Sequence, residues 1–434
     1  MSKDPTKSTL LNITKIEEFI NKRIRVSFPN TNIEIALSQY LFSSFDIDRG
    51  TRLLLNTIFQ NYPNNNLGKN RFKTILDIGC GTGIIGIALA KSYGSKITMR
   101  DRDSLALSLT AYNLKINNLT STIKGGIDFL NLDGTRDNNK YHLIVSNLPA
   151  KAGARVLTHI IYTSSLSTLP GGLMAFVVIK PIASLVQRQL ETCSKIIYRK
   201  DTKDYVVFHS HPQKDFSNLH KLNMDAYKRL NKNYELSGIS YTLKTVYGLP
   251  SFDSVSINEK LLSISIFKTL KSLTYELNIK SFFIWNPGQG HLPIWIIYLL
   301  MNKFSVQSNQ EYNLKKLNIS LASRDALQLL NVSKNLQDLG ILSNQIQIYH
   351  NHSLLQTTNK NTYDLVILQP EKTLNSDHDK AIIPSIKHML GSKTILAISG
   401  PAQNILRISS NHKELNLIKS TKRNGIKTQI FQKR

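Results

Sequence analysis

The sequence predicts two α/β domains in tandem, each built on a mostly parallel sheet with helices on both faces. Three observations predict it. From about residue 70 to 210, short apolar runs alternate with helix-like segments, the signature of successive βα units. At the head of that series, Thr74 to Ala90 reads TILDIGCGTGIIGIALA, a buried strand, a glycine-studded turn and the start of a helix. Four landmarks of the first half then return in the same order in the second, the mark of a duplicated unit.

The elements follow in order. KTILDI is a strand, and the helix after it runs from Gly83 to Ser92. SKITMR precedes the amphipathic SLALSLTAYNLKIN. YHLIVSN leads into RVLTHIIYTSSLSTL, then the strand GLMAFVVI and a closing DYVVFHS. His211 to Asn233 is polar, basic and weakly periodic, and reads as a linker. The expected domains are therefore 1–210 and 234–434, joined by a linker at 211–233. In the second domain YGLPSFDSVSINEKLL answers YLFSSFDIDRGTRLLL, and SFFIWNPGQGHLPIWII answers the glycine turn. ISLASRDALQLLNVSKNL and YDLVILQP answer ITMRDRDSLALSLTAYNL and YHLIVSNLP.

Composition bounds the class. At 434 residues with 41% apolar content the chain can bury two ordinary cores, each of about 200 residues. Lys and Arg number 55 against 29 acids, a formal net charge of +26. So positive a field favours a polyanion, RNA or DNA first and an anionic membrane surface second; a basic surface without such a partner is the plainer alternative. Cys80 and Cys193 form no CxxC pair, and His291, His350 and His352 show no metal-ligand spacing. No metal site is expected, the histidines are expected to be solvated or capping, and a reducing cytoplasm fits. No signal peptide opens the sequence, and LPIWIIYLLM (Leu292 to Met301) is too short to span a bilayer. The expectation is a soluble protein with no membrane partner, its oligomeric state unspecified.

The glycine turn carries the chemistry. Gly79, Gly81 and Gly83 alternate after Asp77, and glycine lets a main chain take positive φ and approach a ligand closely. Gly81, Gly83 and Gly86 also spell GxGxxG, which fits a nicotinamide dinucleotide. Asp77 at the strand end would repel a pyrophosphate and favour a cation. S-adenosylmethionine, with an ammonium, a sulfonium and no phosphate, suits this turn better. A second acid is expected at the next strand end to take the ribose hydroxyls, and Asp101 stands there, with Asp103 as the alternative. In GGIDFL, Asp128 is placed to bond the adenine amino group and Phe129 to pack on the ring. Cys80 is expected to be a small turn residue rather than a nucleophile.

LDIGCGTG resembles motif I of class I S-adenosylmethionine-dependent methyltransferases. FSSFDIDRGTRLLL is similar to the segment that precedes it in the small-domain methyltransferases, a group that includes tandem-domain enzymes methylating guanine N2 in ribosomal RNA. The resemblance covers residues 30 to 210 well and the second domain in outline. It implies two tandem Rossmann-like class I methyltransferase domains, the N-terminal one intact and the C-terminal one degenerate. It also implies that Gly50 and Thr51 lie near the methionine end of the cofactor.

In those RNA enzymes the fourth strand ends in Asn-Pro-Pro-aromatic. The Asn oxygen and a backbone carbonyl draw the amine toward tetrahedral geometry while the aromatic holds the base. Here the stretch reads SNLPAKAG: Asn147 and Pro149, the expected catalytic residues, are present, Leu148 replaces the first proline and Ala150 the aromatic. That departure leaves three acceptors open: an RNA base amine, a protein side chain or a small molecule. A non-catalytic RNA-binding or assembly factor is the reading from another class. Lys151 is expected either to touch a phosphate or to be solvated. The second domain keeps Gly288 and Gly290, but Asp77's place is apolar, Pro293 stands for Gly86, Ser323 for Asp101 and Gln369 for Asn147. It is expected to bind no cofactor and to serve as a platform for substrate or dimerisation. In the tandem enzymes the degenerate half is the N-terminal one; here the order is reversed.

Overall fold

The computed structural model of the protein describes residues 16–29, 31–42, 45–64, 71–213, 224–272, 279–307, 313–356, 361–371, 376–410, 412 and 414–433. The chain divides into two compact units, residues 1–227 and 228–434.

The first unit opens with an antiparallel hairpin, β1 (Lys22–Phe28) and β2 (Thr31–Leu37), then α1 (Arg49–Asn61). The βα series follows: β3 (Thr74–Ile78), α2 (Ile84–Tyr93), β4 (Lys96–Asp101), α3 (Ser104–Ile116), β5 (Thr122–Ile127), the short β6 (Leu130–Asn131) and β7 (Tyr141–Asn147). It continues through α4 (Ala154–Ser167), β8 (Thr168–Ile179), α5 (Ala183–Cys193), β9 (Ser194–Asp201) and β10 (Tyr205–Pro212). The strands lie in the order β6-β5-β4-β3-β7-β8-β10-β9. From β5 to β8 all pairs are parallel, and β10 runs antiparallel between β8 and β9. Chain order reverses at β3, so the strand C-termini beside it form a ligand crevice.

α2 is apolar all round because every face is covered. Of its ten residues only Lys91 is not buried, since the helix packs on β3 and β4 on one side and on β2 of the hairpin on the other. Asn113 of α3 fastens that hairpin. Its side chain bonds both the N–H and the C=O of Ala36, at 2.8 and 3.0 Å, and the carbonyl of Thr82.

The second unit repeats the plan. Its hairpin is β11 (Lys228–Leu236) and β12 (Ile239–Val246). Next come α6 (Ile257–Ser272), β13 (Ser281–Trp285), α7 (His291–Gln307), β14 (Asn318–Ser323), α8 (Ala326–Asp338), β15 (Ile346–His350) and β16 (Tyr363–Leu368). α9 (Ser376–Ile386), β17 (Leu390–Pro401), α10 (Ala402–Ile408), β18 (Leu415–Arg423) and β19 (Ile426–Lys433) complete it. The order β15-β14-β13-β16-β17-β19-β18 is that of the first sheet without β6. Even the hairpin fastening recurs: Asn335 of α8 bonds the N–H and C=O of Lys244.

Two expectations are corrected. The linker of 211–233 is too long, because His211 and Pro212 end β10 and residues 228–233 already form β11; residues 214–223 of it lie outside the described residues. His291 is neither solvated nor a cap. It is 0% exposed, with Nδ1 2.8 Å from the Tyr241 hydroxyl, and burial pushes its pKa down to about 4. LPIWIIYLLM lies within α7, and no helix of the described residues is long and apolar enough to cross a membrane.

Candidate active site

The turn after β3 is open on one side and braced on the other. Gly79, Gly81 and Gly83 take φ of 69°, 56° and 83°, values that side chains other than Asn or Asp rarely adopt. A Cβ on Gly79 or Gly81 would meet nothing within 4 Å, so that face of the turn is free space. Beneath it, the N–H groups of Gly79 and Cys80 donate to the Arg100 carbonyl at 2.9 and 3.0 Å. Asp77 is fully buried and accepts the Gly86 N–H at 2.9 Å through Oδ2, while its Oδ1 has no partner. Burial pushes its pKa up to about 7, because water no longer solvates the charged form. Gly86 makes this contact possible: a Cβ there would lie 2.5 Å from the Met99 methyl.

Asp101, the last residue of β4, accepts the Gly81 N–H at 2.9 Å and the Asp103 N–H at 2.9 Å. Burial, reinforced by Asp103, pushes its pKa up to about 6. Asp103, the alternative, caps α3 through the Leu105 N–H. Asp128 stands past β5 at φ 48°, its Oδ2 accepting from the Tyr227 hydroxyl, and burial raises it to about 6. Phe129 needs correction. It is 1% exposed, so its ring is core and presents no face to a ligand.

Sequence reasoning missed the residue that holds this loop. Arg100, 1% exposed, donates to the carbonyls of Asp128 and Leu130, to Asn131 Oδ1, and to Asp137 at 3.0 Å. An arginine directly after Ile97-Thr98-Met99 in β4 was the available signal, since a buried guanidinium must find partners.

On the other flank the N-terminus of α1 meets the end of β7. Asp48 caps α1, its Oδ2 accepting the Thr51 N–H at 3.1 Å and Asn147 Nδ2 at 3.0 Å. Asn147 Nδ2 also reaches Thr51 Oγ1 at 3.2 Å. Both amide hydrogens are thus used, which fixes the flip of the side chain and leaves Oδ1 as an acceptor with no partner among the described residues. Tyr205 of β10, unanticipated, donates to Asp48 Oδ1 at 2.8 Å. Its ring explains Gly50, where a Cβ would lie 2.8 Å from it. Leu148, in place of proline, brings an extra N–H that donates to the Val177 carbonyl at 3.0 Å, and its side chain is buried. Pro149 is exposed and leads into a 3-10 turn at Ala150–Ala152; Lys151 is exposed too. Three of the expected residues, Asn147, Thr51 and Gly50, therefore share one cluster, while Asp77, Gly79, Gly81, Gly83 and Asp101 share the turn. Among the described residues no group of three His, Cys, Asp or Glu side chains could hold a metal.

The same positions of the second unit are arranged differently. Asn286 takes the place of Gly79 at φ 56°. Its Nδ2 donates to the Gln369 carbonyl, its Oδ1 accepts from Ser323, and Gln369 Nε2 donates back to the Asn286 carbonyl. Ile284 replaces Asp77 and Pro293 replaces Gly86: an acceptor and its N–H donor are absent together.

The sheet order and the braced glycine turn define a Rossmann-like α/β domain. Across the chain the fold is similar to that of a 16S rRNA N2-guanine methyltransferase of T. thermophilus solved in complex with AdoMet and guanosine. The TM-score is 0.61 at 13% identity, covering 96% of this chain and 99% of that one. Residues 32–236 match the methyltransferase small domain model. The chain is 32% identical over 142 residues to the ribosomal RNA small subunit methyltransferase C of Actinobacillus pleuropneumoniae serotype 3, covering 32% of this chain and 40% of that protein. The Haemophilus influenzae (strain 86-028NP) protein of that name is 36% identical over 114 residues, 26% of this chain and 30% of its own length. The chain thus spans two fifths or less of the length of these curated relatives.

Proposed function

We propose that the N-terminal domain is an S-adenosylmethionine-dependent methyltransferase whose acceptor is an exocyclic amine of an RNA base, guanine N2 of small-subunit ribosomal RNA first. The observation that carries this is Asn147. Its amide is locked by Asp48 and Thr51 with Oδ1 left free, the orientation that an acceptor for amine hydrogens needs. The names of the relatives and the +26 charge support the RNA.

The residues suit the cofactor. Gly79 and Gly81 offer open main chain, Asp101 would take the ribose hydroxyls, Asp128 the adenine amine, and Gly50 and Thr51 would flank the methionine end. Asp77, buried beneath the turn, would act by bracing it and by lending negative potential from its unpartnered Oδ1. When bound, the cofactor supplies an electrophilic methyl group. The domain's part is alignment: Asn147 Oδ1 and the Leu148 carbonyl would accept the two amine hydrogens, with Pro149 shaping the strand exit, and hold the nitrogen lone pair in line.

The C-terminal domain, on this reading, binds no cofactor and serves as a platform for RNA. The Asn286, Ser323 and Gln369 closure supports it, since a side chain stands over the turn where Gly79 leaves space. Transplanting that feature gives a test. Gly79→Asn, which tolerates positive φ, is expected to weaken cofactor binding by about 100-fold or more and to move the melting temperature by no more than about 3 °C. Calorimetric titration beside thermal unfolding checks it. Unchanged affinity would remove the turn from the cofactor site.

The pH dependence has a definite sign. Asp77 is raised to about 7, and Asp101 and Asp128 to about 6, so all three are protonated in mild acid. A cationic ligand favours their ionised forms, so binding releases protons and tightens as pH rises from about 5.5 to 7.5. Stability is the poorer readout. These raised acids lose stability as pH climbs from about 4 to 7, while buried His159, His209 and His291, lowered to about 4, gain it from about 4 to 6.5. Titrations in buffers of different ionisation heat count the protons; affinity flat across that range would contradict the assignment.

Activity is tested by offering methyl-labelled S-adenosylmethionine with unmethylated RNA or with cell protein. Label in RNA supports the reading; label in protein alone moves the acceptor to a side chain.

A further inference from the structure

Two large aromatic side chains beside the Asn147 cluster stand in water without structural reason. Phe42 is 77% and Phe45 70% exposed, although burying either ring would be favourable. They line a cleft of about 570 Å³ whose wall includes Asp48 and Tyr205, the same Asp48 that binds Asn147 Nδ2 and the same Tyr205 that binds Asp48. Neither phenylalanine makes a ring contact among the described residues. Meanwhile Ala150 occupies the place where a base-holding aromatic is expected after Asn147.

The duplicated unit shows what this slot can hold. YLFSSFD and YGLPSFD put Phe252 and Asp253 where Phe45 and Asp46 stand. In the second unit the planar Arg229 guanidinium lies 5.3 Å over the Phe252 ring and pairs with Asp253. The ring thus carries a flat, nitrogen-rich partner there and nothing in the first unit. The cleft also selects against phosphate: Asp46, Asp48 and Asp204 outnumber Arg49 on its wall. A neutral planar base suits it; a backbone phosphate does not.

We propose that Phe42 and Phe45 form the stacking platform for the acceptor base, replacing the aromatic lost at Ala150. This rests on the RNA methyltransferase reading, and it makes these two rings, rather than the residue after Pro149, the part that holds the base. An unpaired purine laid on Phe45 would bring its amine edge toward Asn147 across Asp48.

The test uses the full chain and two readouts. The first is quenching of 2-aminopurine in a single-stranded oligoribonucleotide, which reports stacking without turnover. The second is the split of KM and kcat for methyl transfer into RNA. Phe45→Ala is expected to abolish the quenching and to raise KM for RNA by about 5- to 100-fold, with cofactor affinity unchanged. Phe42→Ala should do the same to a lesser degree, and Phe45→Tyr should restore both. Both rings are exposed, so folding is not at stake. Quenching and KM within twofold of wild type in the double alanine variant would overturn the platform, as would a wild-type chain that never quenches the probe. Quenching lost on Phe45→Ala in a chain that transfers no methyl group would uphold the platform and overturn the methyl-transfer reading instead.

Discussion

Asn147→Ala is expected to slow methyl transfer by about 100- to 1,000-fold and to leave the cofactor dissociation constant within about threefold. The asymmetry follows from how the side chain is tied. Its two amide hydrogens are spent on Asp48 Oδ2 and Thr51 Oγ1, at 3.0 and 3.2 Å, which leaves Oδ1 as the group available to an acceptor amine. Removing it takes away the group that orients the amine while Gly79, Gly81 and Asp101 stay in place. Single-turnover label transfer beside calorimetric titration separates the two effects. Equal loss of both would mean that Asn147 holds the cofactor end of α1 and not the acceptor.

Arg100→Leu carries the largest stability effect. The guanidinium and Asp137 are 1% and 4% exposed and 3.0 Å apart. Burial alone would raise the Asp137 pKa, but Lys124, the Asn139 N–H and Arg100 together hold it below the ordinary value. Breaking a buried pair from one side strands the other charge, at a cost of about 3–5 kcal/mol. Lys124 still reaches Asp137 at 2.8 Å, which places the expected loss near the lower end, about 3 kcal/mol. The carbonyls of Asp128 and Leu130 and the side chain of Asn131 lose their donor as well, so cofactor affinity should fall with stability. Denaturant unfolding measures the first. Adding Asp137→Asn should recover part of it; a loss under about 1 kcal/mol would show that the network does not hold the loop.

The repeat was legible in sequence because its landmarks sit at strand ends, where a turn and the neighbouring sheet constrain residue type. The glycine turn was legible for the same reason: positive φ at three alternate positions leaves little choice. The hairpins ahead of each sheet were not. β1 and β2 carry mixed charged and apolar residues, and what makes them strands is each other and α2 packing beneath. Arg100 and Tyr205 were missed because each is defined by partners far away in sequence, Asp137 and Asp48. Phe129 was misread for the converse reason. Its neighbour Asp128 suggested a ligand-facing loop, whereas the chain turns at Asp128 and sends the next side chain inward.

On this reading the N-terminal domain methylates a base amine held against Asn147. The most direct measurement is nucleoside analysis of small-subunit ribosomal RNA after incubation with the full chain and methyl-labelled S-adenosylmethionine. The expected result is label in N2-methylguanosine, lost in Asn147→Ala. Label confined to protein, to a ring nitrogen or to ribose, or none at all from a chain that binds the cofactor, would contradict it.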